Sequence, residues 1–446
     1  MAKLFGTDGI RAVAGEYPLD ESSVRVLGRA LMTLLRAEGL PPRILIGRDT
    51  RESGDWIEAA LIRGIAAAGG QCASAGVIPT SAVSHLTRTF EFSAGIVVSA
   101  SHNPYKDNGI KIFSGKGLKI SEAWEERLES EIAGGGDAGS PGKADVHPDP
   151  VYLREYEHFL RRRFAPGLGT KGIKIVLDCA NGSASAIAPE VLSGLGFAVV
   201  ATEAEPDGRN INEDCGALHP EKLAQTVLAR GADLGIAFDG DADRALWVDH
   251  HGRILTGDHT LFVLSRAMNA RGLLRGRTVV ATTMSNMGLE KALAAEGIAL
   301  VRTRVGDKYV LEKMLSIQAN LGGERSGHTI FSDECPTGDG LLTALKMLEV
   351  MIEKNLPLAD LIRGYTEFPQ VLKNVRVARK PDLDGLPEVV AAIADVRGRL
   401  GKNGRLDVRY SGTEPLARVM VEGEDEDLIE ILASRITAAI RKKIGV

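Results

Sequence analysis

The chain has 446 residues, which at about 150 per domain is too long for one core and sets an expectation of roughly three domains. Apolar residues make up 44% and charged residues 25%, and 54 Lys and Arg stand against 59 Asp and Glu for a net charge of −5 without a long block of one sign. This composition excludes wholesale disorder and points away from nucleic acid and membrane surfaces as partners. No run approaches the length of a membrane span, and the start Met1-Ala2-Lys3-Leu4-Phe5-Gly6 lacks the apolar region of a signal peptide, so a cytoplasmic protein is expected. Its four cysteines, Cys72, Cys179, Cys215 and Cys335, form no C-x-x-C pair and are expected to be reduced thiols. Glycine is in excess, at 51 residues, and the excess sits in short polar loops, which hints at backbone-lined phosphate sites.

Short β-branched runs alternate with amphipathic helices, the pattern of layered α/β domains. Strands are expected at Arg43 to Gly47, Gly95 to Ser99 and Gly109 to Phe113, with a helix from Ser53 to Ala68. A Gly, Asp and Pro-rich stretch, Gly134 to Pro150, then breaks the periodicity and marks a surface connection. A second cycle has helix Val151 to Arg163 and strands Ile173 to Asp178, Leu234 to Asp239 and Ala245 to Asp249. The third has strand Thr278 to Ala281, helix Ser285 to Glu296, strand Ala299 to Arg302 and a long helix Gly338 to Glu353. Strands Val371 to Val377, Arg405 to Tyr410 and Arg418 to Glu422 with helices Leu386 to Leu400 and Glu426 to Lys443 complete the chain. The boundaries expected are 1–150, 151–255, 256–368 and 369–446; no repeat is visible in the sequence, although the cycles are similar in size.

The strongest local signal is Asp239-Gly240-Asp241-Ala242-Asp243-Arg244, directly after an apolar strand, where open α/β sheets place ligands. Two carboxylates at about 4 Å repel by about 4 kcal/mol at an effective dielectric near 20, so three at alternating positions suit one hard divalent cation. A solvated acidic turn and a phosphatase with an Asp nucleophile also fit, whereas a calcium EF-hand does not, because Arg244 and His250 stand where it needs Gly and Glu. Ser99-Ala100-Ser101-His102-Asn103-Pro104 ends another strand. A Ser-His hydrolase is disfavoured there, since neighbouring side chains of an extended chain diverge and the G-x-S-x-G elbow is missing. Arg409-Tyr410-Ser411-Gly412-Thr413-Glu414-Pro415, followed by Arg418, combines guanidinium forks with hydroxyls and loop amides, as a phosphate dianion requires. Phe5 to Arg11 and Gly47 to Arg51 have similar chemistry, although each taken singly reads as a salt-bridged turn. Gly322-Gly323-Glu324-Arg325-Ser326-Gly327-His328 offers a carboxylate, a hydroxyl and an imidazole to sugar hydroxyls. His219, His250, His251 and His259 read as surface or capping residues.

These residues resemble the α-D-phosphohexomutase superfamily and, within it, the phosphoglucosamine mutases: FGTDGIR, SASHNP, DGDADR, GGERSGH and RYSGTEP occur in the family's order and spacing across essentially the whole chain. The resemblance implies three related α/β domains, with mixed sheets flanked by helices, and a smaller α+β C-terminal domain around a central cleft. It implies Ser101 as phosphoserine, and one Mg2+ held by Asp239, Asp241, Asp243 and the Ser101 phosphate. Arg11, His102, Lys111 and Arg244 would surround the reacting phosphoryl group. Glu324, Ser326, His328 and Lys308 would face the sugar, and Arg409, Ser411, Gly412, Thr413 and Arg418 would grip the phosphate that is not being transferred. The implied substrate is a small amino-sugar phosphate, with no nucleic-acid or membrane partner, in a monomer or homodimer. The implied reaction is glucosamine 6-phosphate to glucosamine 1-phosphate through a 1,6-bisphosphate, for UDP-N-acetylglucosamine and cell-wall precursor synthesis. A phosphomannomutase/phosphoglucomutase of the same superfamily is the alternative. Two departures from the family pattern are Lys308, where Arg is common, and the run Ala217-Leu218-His219.

Overall fold

The computed structural model describes residues 3–6, 8–134, 146–170, 172–411 and 415–446. Internal contacts divide the chain into two compact units, residues 1–282 with 301–363, and residues 283–300 with 364–446. Residues 135–145 of the expected surface connection, and Gly412 and Thr413 of the expected phosphate loop, lie outside the described residues.

Three sheets share one plan. The first runs in the order Phe5–Gly6, Gly9–Val13, Asp107–Ser114, Ala94–Val98, Arg43–Arg48, Gln71–Val77. The second runs Ile254–Leu255, Ala245–Asp249, Leu234–Phe238, Lys174–Asp178, Ala198–Thr202, and the third Thr329–Phe331, Leu321–Gly323, Thr278–Thr282, Ala299–Thr303. In each, the first two strands of the cycle are neighbours, the third strand joins parallel on the far side of the first, and the fourth returns antiparallel to the third. The repeat invisible in the sequence is therefore plain in the topology. Its consequence is positional: the turn between third and fourth strands, at residues 99–106, 239–244 and 324–328, falls at the same place in every sheet.

The second unit is α+β, with an antiparallel sheet in the order Gln370–Arg376, Leu416–Gly423, Gly404–Tyr410. Helices Pro387–Leu400 and Glu426–Ile444 bury Val389, Val396, Leu432 and Ile436 with Val419 and Val421 of the central strand. Helix Met287–Ala295 joins this unit: the Met287 N–H donates to Glu422 Oε1 at 2.9 Å, and Glu422 also binds Arg405 at 2.9 Å. The expected fold class, three α/β units and an α+β one, is borne out.

Capping moves several helix starts. The long helix begins at Gly340 because the Asp339 carboxylate accepts from Leu342 N–H, and Met287 begins its helix because Asn286 accepts from Gly288 N–H. His259 is buried at the start of helix Gly257–Ala270, where Nδ1 accepts from Thr256 N–H at 3.1 Å, so of its two expected roles it has the cap and not the surface. All four cysteines are free, and no described helix is long and apolar enough to cross a membrane.

The helix Glu21–Ala37, which the reading in chain order passed over, has Val24, Leu27, Leu31, Leu34 and Leu35 at helical spacing and an Asp20 cap on Ser23 N–H. It crosses helix Gly54–Ala67 at two glycines. A Cβ on Gly64 would lie 2.1 Å from Arg25 O, and one on Gly28 would lie 2.6 Å from Leu61 O. Gly64→Ala is expected to force the pair apart and cost about 1–3 kcal/mol, seen as a lower midpoint in denaturant or thermal unfolding; an unchanged midpoint would show that the crossing is loose.

Candidate active site

The Ser101 turn is held from behind. Arg51 is buried, and its guanidinium donates to the carbonyls of Ser101 (2.8 Å), Asn103 (2.9 Å) and Pro104 (2.6 Å) while Nε pairs with Asp49 at 2.9 Å. Asp49 accepts from Ser99 Oγ at 2.5 Å, and Ser99 Oγ in turn accepts from Ser101 N–H at 2.9 Å. Asn212 reaches over from the second sheet's unit of structure to donate to the carbonyls of Ser101 (2.9 Å) and Asn103 (3.2 Å). The Gly47 to Arg51 segment is thus a buried salt-bridged turn. The result is a left-handed Ser101, φ +53°, only 1% exposed. This corrects the expectation that Ser101 and His102 diverge as in extended chain: Ser101 Oγ lies 3.2 Å from His102 Nδ1. Burial, then Arg244 and Arg11, push the His102 imidazole down to about 3, so it is neutral at physiological pH.

Ser101 Oγ donates to Asp239 Oδ2 at 2.7 Å, which joins the first turn to the second. Carboxylate oxygens of Asp239, Asp241 and Asp243 lie within 4.8 Å of one another, all three side chains buried. Burial, then Asp243 and Asp241, push the Asp239 carboxyl well above the usual range. Burial would raise Asp241 too, but the Lys111 ammonium and hydrogen bonds from Lys111 (2.7 Å) and Thr80 (2.6 Å) hold it low. Lys111, itself buried, also touches Asp243 at 3.3 Å and Asp8 at 2.9 Å; burial opposes its charge, yet Asp241, Asp8 and Asp243 keep it firmly protonated. Arg11 binds Asp8 at 2.6 Å, and Arg244 stands 3.7 Å from both Asp239 and Asp243.

The third turn meets the second through a bridge between Arg244 and His328 and a bond from Ala245 N–H to Gly327 O at 3.2 Å. His328 Nε2 lies 3.9 Å from Asp243 and 3.5 Å from Asp307. Glu324 accepts from Gly306 N–H at 3.0 Å, and Ser326 is half-buried in the same turn. Lys308, expected at the sugar, is engaged by Glu125 at 3.2 Å and Glu122 at 3.7 Å. Several buried polar atoms here have no hydrogen-bond partner: Oδ1 of Asp241 and Asp243, Nε of Arg11 and Arg244, and both ring nitrogens of His328. Leaving a buried polar group unsatisfied costs about 1–3 kcal/mol, so acceptor and donor atoms left unsatisfied side by side mark a site that can take a ligand offering both donors and acceptors.

Of the expected residues, Ser101, His102, Arg11, Lys111, Arg244, the three aspartates, Glu324, Ser326 and His328 are brought together. Arg409, Ser411 and Arg418 belong to the other unit, where Arg409 and Arg418 are directly paired across two strands. Arg409 Nε binds Asp407 at 2.9 Å, and Lys380 donates to Ser411 O at 2.7 Å. Like charges directly opposite destabilise a sheet, and Asp407 offsets part of that repulsion at Arg409. The sequence reading missed Asp8, Thr80, Lys119, Asn212, Asp307 and Lys380. Asp8 was within reach, inside FGTDGIR; the others act only through the fold.

Family models for the phosphoglucomutase/phosphomannomutase alpha/beta/alpha domains I, II and III match residues 2–138, 154–252 and 256–368, and the model for the C-terminal domain matches 372–439. The class is that of a phosphohexomutase, an enzyme of intramolecular phosphoryl transfer. A phosphoglucosamine mutase from Koribacter versatilis is 50% identical over 453 aligned residues, covering 100% of this chain and 98% of that one, and one from Solibacter usitatus is 48% identical over 451, covering 100% of both. A phosphoglucomutase/phosphomannomutase family protein from Burkholderia thailandensis has the same fold, with a TM-score of 0.82 at 24% identity over 100% of this chain and 99% of that one. The chain belongs to the phosphoglucosamine mutase family of the α-D-phosphohexomutases.

Because the Arg51 fork carries the backbone of the Ser101 turn, Arg51→Lys keeps the charge but not the geometry. It is expected to lower kcat at least tenfold, about 1.4 kcal/mol, with KM changed less than about threefold. Steady-state kinetics check this, and an unchanged kcat would mean that the turn holds itself.

Proposed function

We propose that the protein interconverts glucosamine 6-phosphate and glucosamine 1-phosphate in the cytoplasm, through phosphorylated Ser101 and glucosamine 1,6-bisphosphate, for the synthesis of UDP-N-acetylglucosamine and cell-wall precursors. The observation that carries this reading is the hydroxyl of Ser101 aimed at a buried cluster of three carboxylates and flanked by the cations Arg11, Lys111 and Arg244. A phosphoryl group in flight needs in-line positioning and charge neutralisation more than covalent help.

The donor set fits one hard divalent cation such as Mg2+: three carboxylates in reach of one point, two with unpaired buried oxygens, and the oxygen of Ser101 beside them. Such an ion supplies charge neutralisation at the phosphoryl oxygens when bound. The chain's own residues do the rest. Phosphorylated Ser101 presents its phosphorus to O1 of the sugar; the P–O1 bond forms as the bond to Ser101 Oγ breaks, and the sugar hydroxyl's proton ends on Oγ. After the sugar turns over, Oγ takes the group from O6 and its proton passes to O6. Arg11, Lys111 and Arg244 spread the charge of the passing group. Neutral His102 offers a hydrogen bond to Oγ without adding charge. Glu324, Ser326 and His328 receive the ring hydroxyls, and the Arg409–Arg418 pair with Ser411, Gly412 and Thr413 grips the phosphate at rest, whichever end it is on.

Ser101→Ala is expected to lower turnover at least about a thousandfold, roughly 4 kcal/mol, while substrate binding survives; substantial turnover would require another phosphoryl acceptor. Chelation of divalent cations should abolish turnover reversibly, and Asp239→Asn, Asp241→Asn or Asp243→Asn should raise the Mg2+ concentration needed for half activity; full activity in excess chelator would overturn the cation's role. Wild-type kcat/KM should favour glucosamine 1-phosphate over glucose 1-phosphate and mannose 1-phosphate by at least about tenfold, near 1.4 kcal/mol; equal rates would favour the phosphomannomutase/phosphoglucomutase alternative.

A further inference from the structure

Glucosamine phosphate differs from glucose phosphate in one respect that matters electrostatically: position 2 carries an amine that is largely an ammonium ion at neutral pH. Selecting it calls for a carboxylate that is not surrounded by several fixed cations or already committed elsewhere. Most carboxylates around the site fail this condition. Asp239, Asp241 and Asp243 form the cation cluster. Asp8 is surrounded by Arg11, Lys111 and Lys119 at 2.6, 2.9 and 2.6 Å. Glu324 is occupied by the Gly306 N–H, and burial raises its carboxyl toward the neutral form.

Asp307 differs. It opens the helix Asp307–Ile317 directly after Gly306, whose φ of +128° makes the turn that the Glu324 carboxylate fastens to the sugar-facing segment. Its Oδ2 lies 3.5 Å from His328 Nε2 and 2.5 Å from Lys119 Nζ. Lys119 is the only ammonium among the described residues that pairs with it, and Lys119 pairs equally with Asp8 Oδ1 at 2.6 Å. A cavity of 330 Å³ opens beside the pair, lined by Lys119, Asp307, Lys308, Ser121, Leu311 and Thr337.

We propose that Asp307 is the specificity-determining residue for the amino group: its carboxylate receives the substrate's 2-ammonium in place of the Lys119 ammonium, which withdraws to Asp8. The proposal rests on the amino-sugar reading above. The exchange strands no charge. Lys119 is a primary alkylammonium already seated on Asp307, so the carboxylate is shaped for that kind of cation, and Lys119 has a second carboxylate to retain when the substrate arrives. A 2-hydroxyl gains nothing comparable, since displacing an ammonium for a neutral donor loses an ion pair.

The test is kcat/KM of the full chain, with Mg2+, for glucosamine 1-phosphate and glucose 1-phosphate, in wild type, Asp307→Asn and Lys119→Met. The glucosamine-to-glucose ratio should fall at least tenfold in Asp307→Asn and hold or rise in Lys119→Met, where the internal competitor is gone. If Asp307→Asn slows both sugars equally, or if Lys119→Met lowers the ratio as much as Asp307→Asn does, the pair is only a structural latch and the proposal fails. Should Asp307→Asn not fold, Asp307→Glu serves, with the charge kept and displaced: a ratio at least threefold below wild type supports the proposal and an unchanged one refutes it. A wild-type ratio at or below one refutes the amino-sugar reading itself, whereas a ratio above one that Asp307→Asn leaves intact refutes only the role of Asp307.

Discussion

The structure depends on keeping three carboxylates together in a buried place. Asp239, Asp241 and Asp243 have oxygens within 4.8 Å of one another and almost no water contact. Burying one such charge without a partner is prohibitive, and burying three is worse. The chain answers with Lys111 from the first sheet, Thr80 from the helix beside it, and Arg244 from the aspartate turn itself. None of these answers is local except Arg244, so the second sheet's turn is electrostatically incomplete until the first sheet packs against it. Even then one oxygen each of Asp241 and Asp243 has no hydrogen-bond partner, next to Asp239, to which Ser101 donates.

The shared strand plan explains how such a meeting is possible. A third-to-fourth strand turn is short and joins antiparallel neighbours in each sheet, so its residues are fixed by ladder hydrogen bonds on both sides. The turns therefore carry their side chains on rigid supports, as positioning to a fraction of an ångström requires. Glycine permits close approaches: a Cβ on Gly240 would sit 2.6 Å from Ser101 O, and one on Gly338 would sit 2.3 Å from His328 Nε2. The glycine excess seen in the composition has this use at those two places, beside its use in phosphate loops.

What could be read from the sequence follows the range of the interactions. The candidate site residues sit in contiguous motifs, so Ser101, the three aspartates and the Glu324 to His328 segment were readable as candidates before any fold was known, as were the strands with β-branched runs. The strand Gln71–Val77 was not, because an edge strand of Cys, Ala, Ser and Gly has no such signature. Nor was the backbone at Ser101: nothing in the letters Ser-Ala-Ser-His states that Arg51, fifty positions away, pulls three carbonyls into one fork. The same holds for the Asp8–Lys119–Asp307 chain, whose members are separated by more than a hundred positions. Motifs record which groups react; long-range charge pairs record how they are held, and those appear only when the chain is folded.

A mutase must recognise its sugar twice, in opposite orientations, and this limits what each part can ask of the substrate. A guanidinium pair recognises a phosphate dianion by its oxygens alone, so in the proposed reading Arg409 and Arg418 would be indifferent to the carbon that bears it. Groups facing the ring cannot be indifferent, because turning the sugar exchanges the positions of its hydroxyls. Neutral donors and acceptors, the part proposed for Ser326 and His328, tolerate that exchange, since one hydroxyl replaces another. A charged substituent does not tolerate it unless a carboxylate is in reach in both orientations, or the ammonium is released in one of them. On the proposed exchange Asp307 takes Lys119 back when the substrate ammonium leaves, which meets the second condition: the site would not be left with an unpaired buried charge while the sugar turns. Discrimination by a shared, exchangeable ion pair is therefore compatible with reorientation, whereas a fixed and fully buried ammonium pocket would hold the intermediate in one orientation and stop the reaction halfway.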